Sequence, residues 1–287
     1  GMTLHPSVSV GFCIADRAPA PVGRSLLEAA RIAADEALHN GPGAIRSFLP
    51  DMSRRRADRI ELRDGLERAL DQGEIRPWFQ PQIAVETGEI SGFEALARWH
   101  HPEKGILPPA EFLPLIEDSD LSERLGDVIL YGALSAITRW DQAGFAIPRV
   151  SINLSGAQLR SPALAERLNW EVDRFGLTPA RLTVEVLESV AGKPGDEMIV
   201  ANLKEIARRG FGIDLDDFGT GQAAIGNIRR FSIRRVKIDR SFVTGADTDP
   251  EQRRLLGAIL GFCGNLGVET VAEGVATDPC RGHRRGA

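Results

Sequence analysis

TVEVLES at 183–189, GIDLDDFGTG at 212–221 and RRVKIDR at 234–240 are three versions of one pattern: a short apolar run closed by an acid or a lysine. A helical pattern over Asp196–Gly210 separates the first two. Outward from these, the same rhythm returns in both directions. Apolar runs recur at Trp78–Val85, Ile90–Leu96, Arg149–Leu154, Leu182–Leu187, Gly212–Leu215, Arg235–Ile238 and Val268–Val271. Helical patterns fill Pro109–Ser119, Leu121–Ala143, Pro162–Phe175 and Pro250–Leu266. Strands alternating with helices imply an α/β fold with a parallel sheet, and units of about 20–40 residues suit a βα barrel. The tight turn Glu86-Thr87-Gly88-Glu89 joins the first two strands, which makes that pair antiparallel. Seven strands are counted where a closed barrel takes eight.

Ahead of this region, residues 7–50 read as strand (Ser7–Ile14), helix (Ser25–His39) and strand (Ala44–Phe48), too little to bury a core unaided. Residues 51–73 read as an amphipathic helix ending at Gly73, with Ile60, Leu62, Leu66, Ala69 and Leu70 on its apolar face. The expected organisation is therefore a small α+β front over 1–50, a linker helix over 51–73 and a barrel over 74–287. The whole chain has 287 residues, 43% hydrophobic and 26% charged, with a net charge of −5, so no nucleic-acid polymer is expected as a partner. No run approaches the ~18 apolar residues of a membrane span. Three scattered cysteines, Cys13, Cys263 and Cys280, fit a reducing cytoplasm.

Polar residues fall where the strands end: Glu94 on the second, Asn153 on the third, Glu185 on the fourth and Asp216-Asp217 on the fifth. Lys237 and Asp239 close the sixth strand and Glu273 follows the seventh. In a parallel barrel those ends converge on one rim. A single acid after a strand is commonly a helix cap; a succession of them is not explained that way. Two carboxylates about 4 Å apart repel by roughly 4 kcal/mol at an effective dielectric near 20, so such a cluster takes up protons or collects cations. Oxygen donors without cysteine or histidine select Mg²⁺ or Mn²⁺, and Asp216 is placed to bridge two ions, the arrangement used for phosphodiester hydrolysis. Lys237 is one of four lysines against 31 arginines. Its compact ammonium suits orienting or deprotonating a water, with Glu273 a second candidate base or metal ligand. Zinc at His100-His101 and a nucleotide P-loop at DDFGTG both lack the required spacing.

The segments GFEALARWHHPEKGILPPAEFLPLIEDSDL, SINLSGAQL, VEVLES, DLDDFGTG, VKIDRSFV and VAEGV, in that order over about residues 60–278, resemble the EAL family of cyclic di-GMP phosphodiesterases. The resemblance implies a modified TIM-type (β/α)₈ barrel with an antiparallel first strand, and hydrolysis of cyclic di-GMP to linear pGpG with Mg²⁺ or Mn²⁺. By motif, Glu94, Asn153, Glu185 and Asp216 would hold the first ion, and Asp216, Asp217 and Glu273 the second, with Asp239 supporting it. Lys237 would hold the hydrolytic water, Arg98 the substrate phosphate and Gln80 the guanine, while Glu188 would anchor the DDFG loop, which the family links to dimerisation. SVSVGFCIA and LLEAARIAADEALHNGPGAIRSF resemble the end of a GGDEF diguanylate cyclase domain, without any GGDEF or GGEEF string. Departures from the EAL pattern are Leu187 for threonine, Gln222-Ala223-Ala224 after DDFGTG, and a C-terminal stretch that does not continue into an eighth βα unit. They support the alternative of an inactive cyclic di-GMP receptor or dimerisation module.

Overall fold

The computed structural model describes residues 7–20, 22–116, 119–191, 196–219, 228 and 230–275, and divides into two compact units, residues 1–68 and 69–287. In the first, β1 (Val10–Phe12), α1 (Gly23–His39) and β2 (Ile45–Ser47) form a parallel βαβ unit, with Val10 opposite Ile45 and Phe12 opposite Ser47. Its small core is Ala29 and Ala33 of α1 with Phe48 and Met52, flanked by Cys13 and Ile32. The next helix, α2, spans Pro50–Asp71. Leu62, Leu66, Ala69 and Leu70 are buried as expected, but Ile60 is exposed. At 100° per residue Ile60 lies some 240° round from Leu66, off the stripe that the other four share.

The second unit is one curled sheet. Its strands are β3 (Ile75–Ile83), β4 (Ile90–His101), β5 (Gly105–Leu107), β6 (Val150–Asn153), β7 (Leu182–Leu187), β8 (Gly212–Phe218), β9 (Arg235–Ile238) and β10 (Glu269–Ala272). They lie in the order β10-β9-β8-β7-β6-β4-β3, with β5 paired to the far end of β4. The β3–β4 pair is antiparallel through the Glu86–Glu89 turn and β5 is antiparallel to β4, while β4, β6, β7, β8, β9 and β10 are parallel. Among the described residues no pairing joins β3 to β10. The C-terminal stretch expected to lack a strand, 276–287, lies outside the described residues, as do Gln222, Ala223 and Ala224.

Helices α4 (Asp120–Gln142), α6 (Leu164–Arg174), α8 (Glu197–Arg208) and α10 (Pro250–Asn265) follow strands; α3 (Pro109–Phe112), α5 (Gly156–Leu159), α7 (Glu188–Ala191) and α9 (Arg240–Val243) are single turns. The buried residues of α4, α6 and α8 recur at helical spacing: Ile129, Leu130, Ala133, Leu134 and Ile137; Leu164, Leu168 and Val172; Ile199, Leu203 and Ile206. They cover one face of the sheet, where Val150, Ile152, Val184, Val186, Ile213, Leu215, Val236 and Ile238 are buried. The other face of the same strands carries Ser151, Thr183, Glu185, Asp214, Asp216, Arg235 and Lys237, all buried as well. Strand alternation thus separates an apolar layer from a polar interior.

Gly132 on α4 lies close against the sheet: an added Cβ would stand 2.5 Å from the Pro77 ring. Gly132→Ala gains about 1 kcal/mol of helix propensity, but overpacking against a rigid ring costs about 1–3 kcal/mol. The expected outcome is a net loss, read as a melting temperature lowered by roughly 2–4 °C per kcal/mol. A melting point at or above the parent's would show that the helix term wins.

Candidate active site

Four strand-to-strand steps separate β4 from β9. In a flat sheet these would set the two about 19 Å apart. Yet the Lys237 Nζ on β9 lies 3.0 Å from Glu94 on β4. The sheet must therefore curl, and its curl gathers the polar face around one point. Lys237 Nζ also lies 2.8 Å from Glu185, 3.1 Å from Asp216 and 2.9 Å from Glu273. Its side chain is 2% exposed and that of Glu185 0%. The acids are not at strand ends throughout, as the sequence implied. Glu94 and Glu185 lie within β4 and β7, because β4 runs on to pair with β5 and β7 continues to Leu187, so the cluster is sunk below the rim.

Asp216 and Asp217 illustrate how local backbone builds the site. Adjacent residues of a regular strand face opposite ways. Here the β8–β9 register shifts between Leu215 and Phe218, and Asp217 takes a φ of +54°, a left-handed conformation that aspartate tolerates. Asp217 N–H donates to Asp216 Oδ1 at 2.9 Å. Carboxylate oxygens of Asp216, Asp217 and Glu273 come within 4.8 Å of one another, as do those of Glu94, Glu185 and Asp216. Asp216 belongs to both groups. Beyond the bulge, Gly219 at φ +100° donates its N–H to the buried Glu188 at 2.7 Å, and a Cβ there would strike the Phe242 ring at 2.5 Å. Glu188 thus holds the backbone at Gly219.

Burial pulls the Lys237 ammonium down, but Glu185, Asp216 and Glu94 together outweigh it and hold the group well above its ordinary value. Burial pushes the Glu185 carboxyl well above the usual carboxylate range, Lys237 pulls it back, and Glu94 and Asp216 raise it again. Glu273 and Asp217 are raised, each by burial first, with Asp216 and Asp239 adding to Asp217. One ammonium faces four carboxylates, which leaves the cluster negative and able to take a cation. Glu185 Oε1 is buried without a hydrogen-bond partner, so one carboxylate oxygen is left for such a ligand.

The remaining expected residues lie around this centre. Asn153 donates from Nδ2 to Glu94 Oε1 at 3.1 Å, leaving its carbonyl oxygen outside that bond. Gln80 is the cross-strand partner of Glu94, hence on the same sheet face. Arg98, four residues beyond Glu94 on that face, donates to Ala97 O at 2.8 Å and stands 5.8 Å from the Trp78 ring centroid. Asp239 falls outside both oxygen groups; it caps α9 by accepting from Ser241 N–H at 2.8 Å, and the Ser241 side chain first and this backbone bond second lower its carboxyl. Sequence reasoning missed the ion pair of Arg235 with Asp214 below the cluster. The signal was present in the alternation of GIDLDD, which puts Asp214 on the same face as Asp216.

The family model described as the EAL domain matches residues 63–279. Among curated proteins, the bifunctional diguanylate cyclase/cyclic di-GMP phosphodiesterase MucR of Pseudomonas aeruginosa is 32% identical over 80% of this chain and 34% of its own length. The cyclic di-GMP phosphodiesterase RocR of the same species is 32% identical over 75% of this chain and 54% of its own. The chain spans about a third of the length of several curated relatives. The solved structure titled "PaMucR Phosphodiesterase, c-di-GMP complex" superposes with a TM-score of 0.71 at 32% identity, covering 76% of this chain and 88% of that one.

Lys237→Met tests the electrostatics directly. Breaking a buried pair from one side costs about 3–5 kcal/mol. Without the ammonium, which pulls both down, the Glu185 and Glu273 carboxyls rise further above their ordinary values, so the folded state binds more protons than the unfolded one. Stability of the variant is then greatest at acid pH and falls as pH rises through the raised carboxyl values. Urea unfolding at pH 5 and pH 7 should show the larger deficit at pH 7; an equal deficit at both would place its origin in packing.

Proposed function

Since the chain belongs to the EAL-domain family, we propose that it hydrolyses cyclic di-GMP to linear pGpG with two divalent cations, Mg²⁺ or Mn²⁺, at the Lys237 cluster. The observation that carries this reading is the pair of carboxylate groups sharing Asp216, with Lys237 among them. MucR, a cyclic di-GMP phosphodiesterase by name, and the cyclic di-GMP complex of its solved structure support the substrate.

The donor set fits hard cations: carboxylate oxygens of Glu94, Glu185 and Asp216 with the Asn153 amide for one ion, Asp216, Asp217 and Glu273 for the other, and Asp239 behind it. When bound, such ions lower the pKa of a water and stabilise charge on the phosphoryl oxygens. Lys237, held protonated by its neighbours, acts as a donor that orients the attacking water and not as its base. Glu273, whose carboxyl is raised, is the group suited to accept a proton where it does not ligate the second ion. Arg98 pairs with a substrate phosphate through its guanidinium fork and Gln80 meets the guanine. Glu188, through Gly219, positions the loop after Asp217.

A second reading, a cyclic di-GMP receptor without turnover, draws on Leu187. It is the register partner of Asp216, so an apolar side chain sits on the site face where the family pattern has threonine. In the same spirit, residues 7–50 are read as a GGDEF remnant on their strand–helix–strand order, preceding a linker helix over 51–73 and the barrel. The full molecule is read as a cytoplasmic homodimer; among the described residues no helix is long and apolar enough to cross a membrane.

The test is incubation with cyclic di-GMP in Mn²⁺ or Mg²⁺, with pGpG followed by anion-exchange chromatography. Turnover is expected, with Glu185→Gln reducing it by roughly 100-fold or more, beyond the ~10–100-fold usual for outer partners of a metal site. Binding of cyclic di-GMP in Ca²⁺ with no pGpG in Mn²⁺ would establish the receptor instead. Because protons compete with cations for Asp217 and Glu273, whose carboxyls are raised, Mn²⁺ affinity by calorimetry should fall on acidification from pH 7 to pH 5.

A further inference from the structure

Below the Lys237 cluster lies a second buried charge pair that the hydrolytic reading does not use. Arg235 and Asp214 are register partners across β9 and β8, and each side chain is 2% exposed. Arg235 Nε donates to Asp214 Oδ2 at 2.9 Å, and Nη2 bonds the same oxygen and lies 3.5 Å from Ser151 Oγ on β6. Barrel interiors are ordinarily filled at such positions by branched apolar side chains. A buried ion pair is weak evidence for stability, because an apolar pair of similar volume is often as good or better. Its place in the sheet supplies another reason.

One register row runs Asn153, Glu185, Asp214, Arg235, Glu269 across five strands. Asp216 and Lys237 stand two residues beyond Asp214 and Arg235, on the same face of the same strands. Between those levels the ladder is interrupted: β8 and β9 pair at Leu215–Val236, and the register then shifts before Phe218–Ile238. Backbone pairing is therefore irregular where Asp216 and Lys237 must meet at 3.1 Å. A slip of one residue would turn Lys237 to the helix side. The ion pair sits one rung below Leu215–Val236, on the last regular rung whose side chains face the interior, and ties β8, β9 and β6 together. Arg149, at the foot of β6, reaches Glu269 on β10 at 3.4 Å and extends the tie to the next strand.

We infer that Asp214 and Arg235, with Ser151, form a positioning pair that holds the β8–β9 register beneath the bulge and thereby sets Lys237 and Asp216 in the cation site. This rests on the cation-site reading given above. The test compares the parent with Asp214→Leu/Arg235→Met, which replaces the pair by apolar side chains, and with Arg235→Lys, which keeps the charge but loses the planar fork. Two readouts are taken: Mn²⁺ affinity by electron paramagnetic resonance, and acetylation of Lys237 in the metal-free protein by mass spectrometry. Lys237 is one of four lysines and 2% exposed, so its protection is directly readable. The double variant should melt at or above the parent temperature, bind Mn²⁺ about 10–100-fold more weakly and expose Lys237 to acetylation. Arg235→Lys should fall between the two, and it decides the matter if the double variant does not fold. A folded variant with parental Mn²⁺ affinity and a protected Lys237 would overturn the proposal. If the parent binds no Mn²⁺ but Lys237 still loses protection in the variants, the cation-site reading fails and the positioning role stands.

Discussion

Four carboxylates around one ammonium in a buried pocket impose a severe electrostatic constraint, and much of the second unit is arranged to meet it. Like charges about 4 Å apart repel by roughly 4 kcal/mol at an effective dielectric near 20, and burial raises that figure. Lys237 offsets part of the repulsion from 2.8–3.1 Å. For it to do so, strands that are not neighbours must converge, and a flat sheet cannot supply that geometry. Outside the curl lie the buried apolar stripes of α4, α6 and α8. Hydrophobic packing thus occupies one face of the sheet and the charges the other. The residual negative charge is what a bound cation would offset.

Alternation along each strand keeps these opposing demands apart. In β7 and β9, Val184, Val186, Val236 and Ile238 serve the helices while Glu185, Arg235 and Lys237 serve the interior. The rule breaks at Asp217, and the break supplies an extra carboxylate. A strict strand would have sent Asp217 into the apolar layer, where an unpaired charge costs several kcal/mol. Positive φ and a register shift bring it to the site instead. The buried Glu188 then fixes the backbone at Gly219.

The order of strands and helices was legible because it rests on periodicity. Each of the seven expected strands is present, and the ETGE turn identified the antiparallel pair. What periodicity missed was depth. Glu94 was read as a strand end because the apolar run stops at Leu96, but β4 continues through Trp99 to His101 by pairing with β5, a contact made only in three dimensions. Asp214 and Arg235 were passed over for a related reason. A run judged apolar by its composition hides a charge whose partner lies 21 residues away. Ile60 was counted into a helix face by its residue type, although its angle places it elsewhere. The cluster of acids was legible as a set, since it needed only the residue at each strand's polar position; its burial and its shared lysine needed the curl.

The two basic residues of β9 show why residue type matters as much as charge. Arg235 forms its ion pair with Asp214, and two of its nitrogens reach the same oxygen, as a rigid planar fork allows. Lys237 meets four carboxylates arriving from four directions, which suits a compact ammonium with rotatable donors and would defeat a planar group. In a chain with 31 arginines and four lysines, the lysine stands where convergence is needed and the arginine where a single rung must be fixed. Exchanging them would keep every charge and lose both geometries. The division of labour on one short strand therefore follows from the shapes of the two cations, and the register between β8 and β9 is the variable that links them.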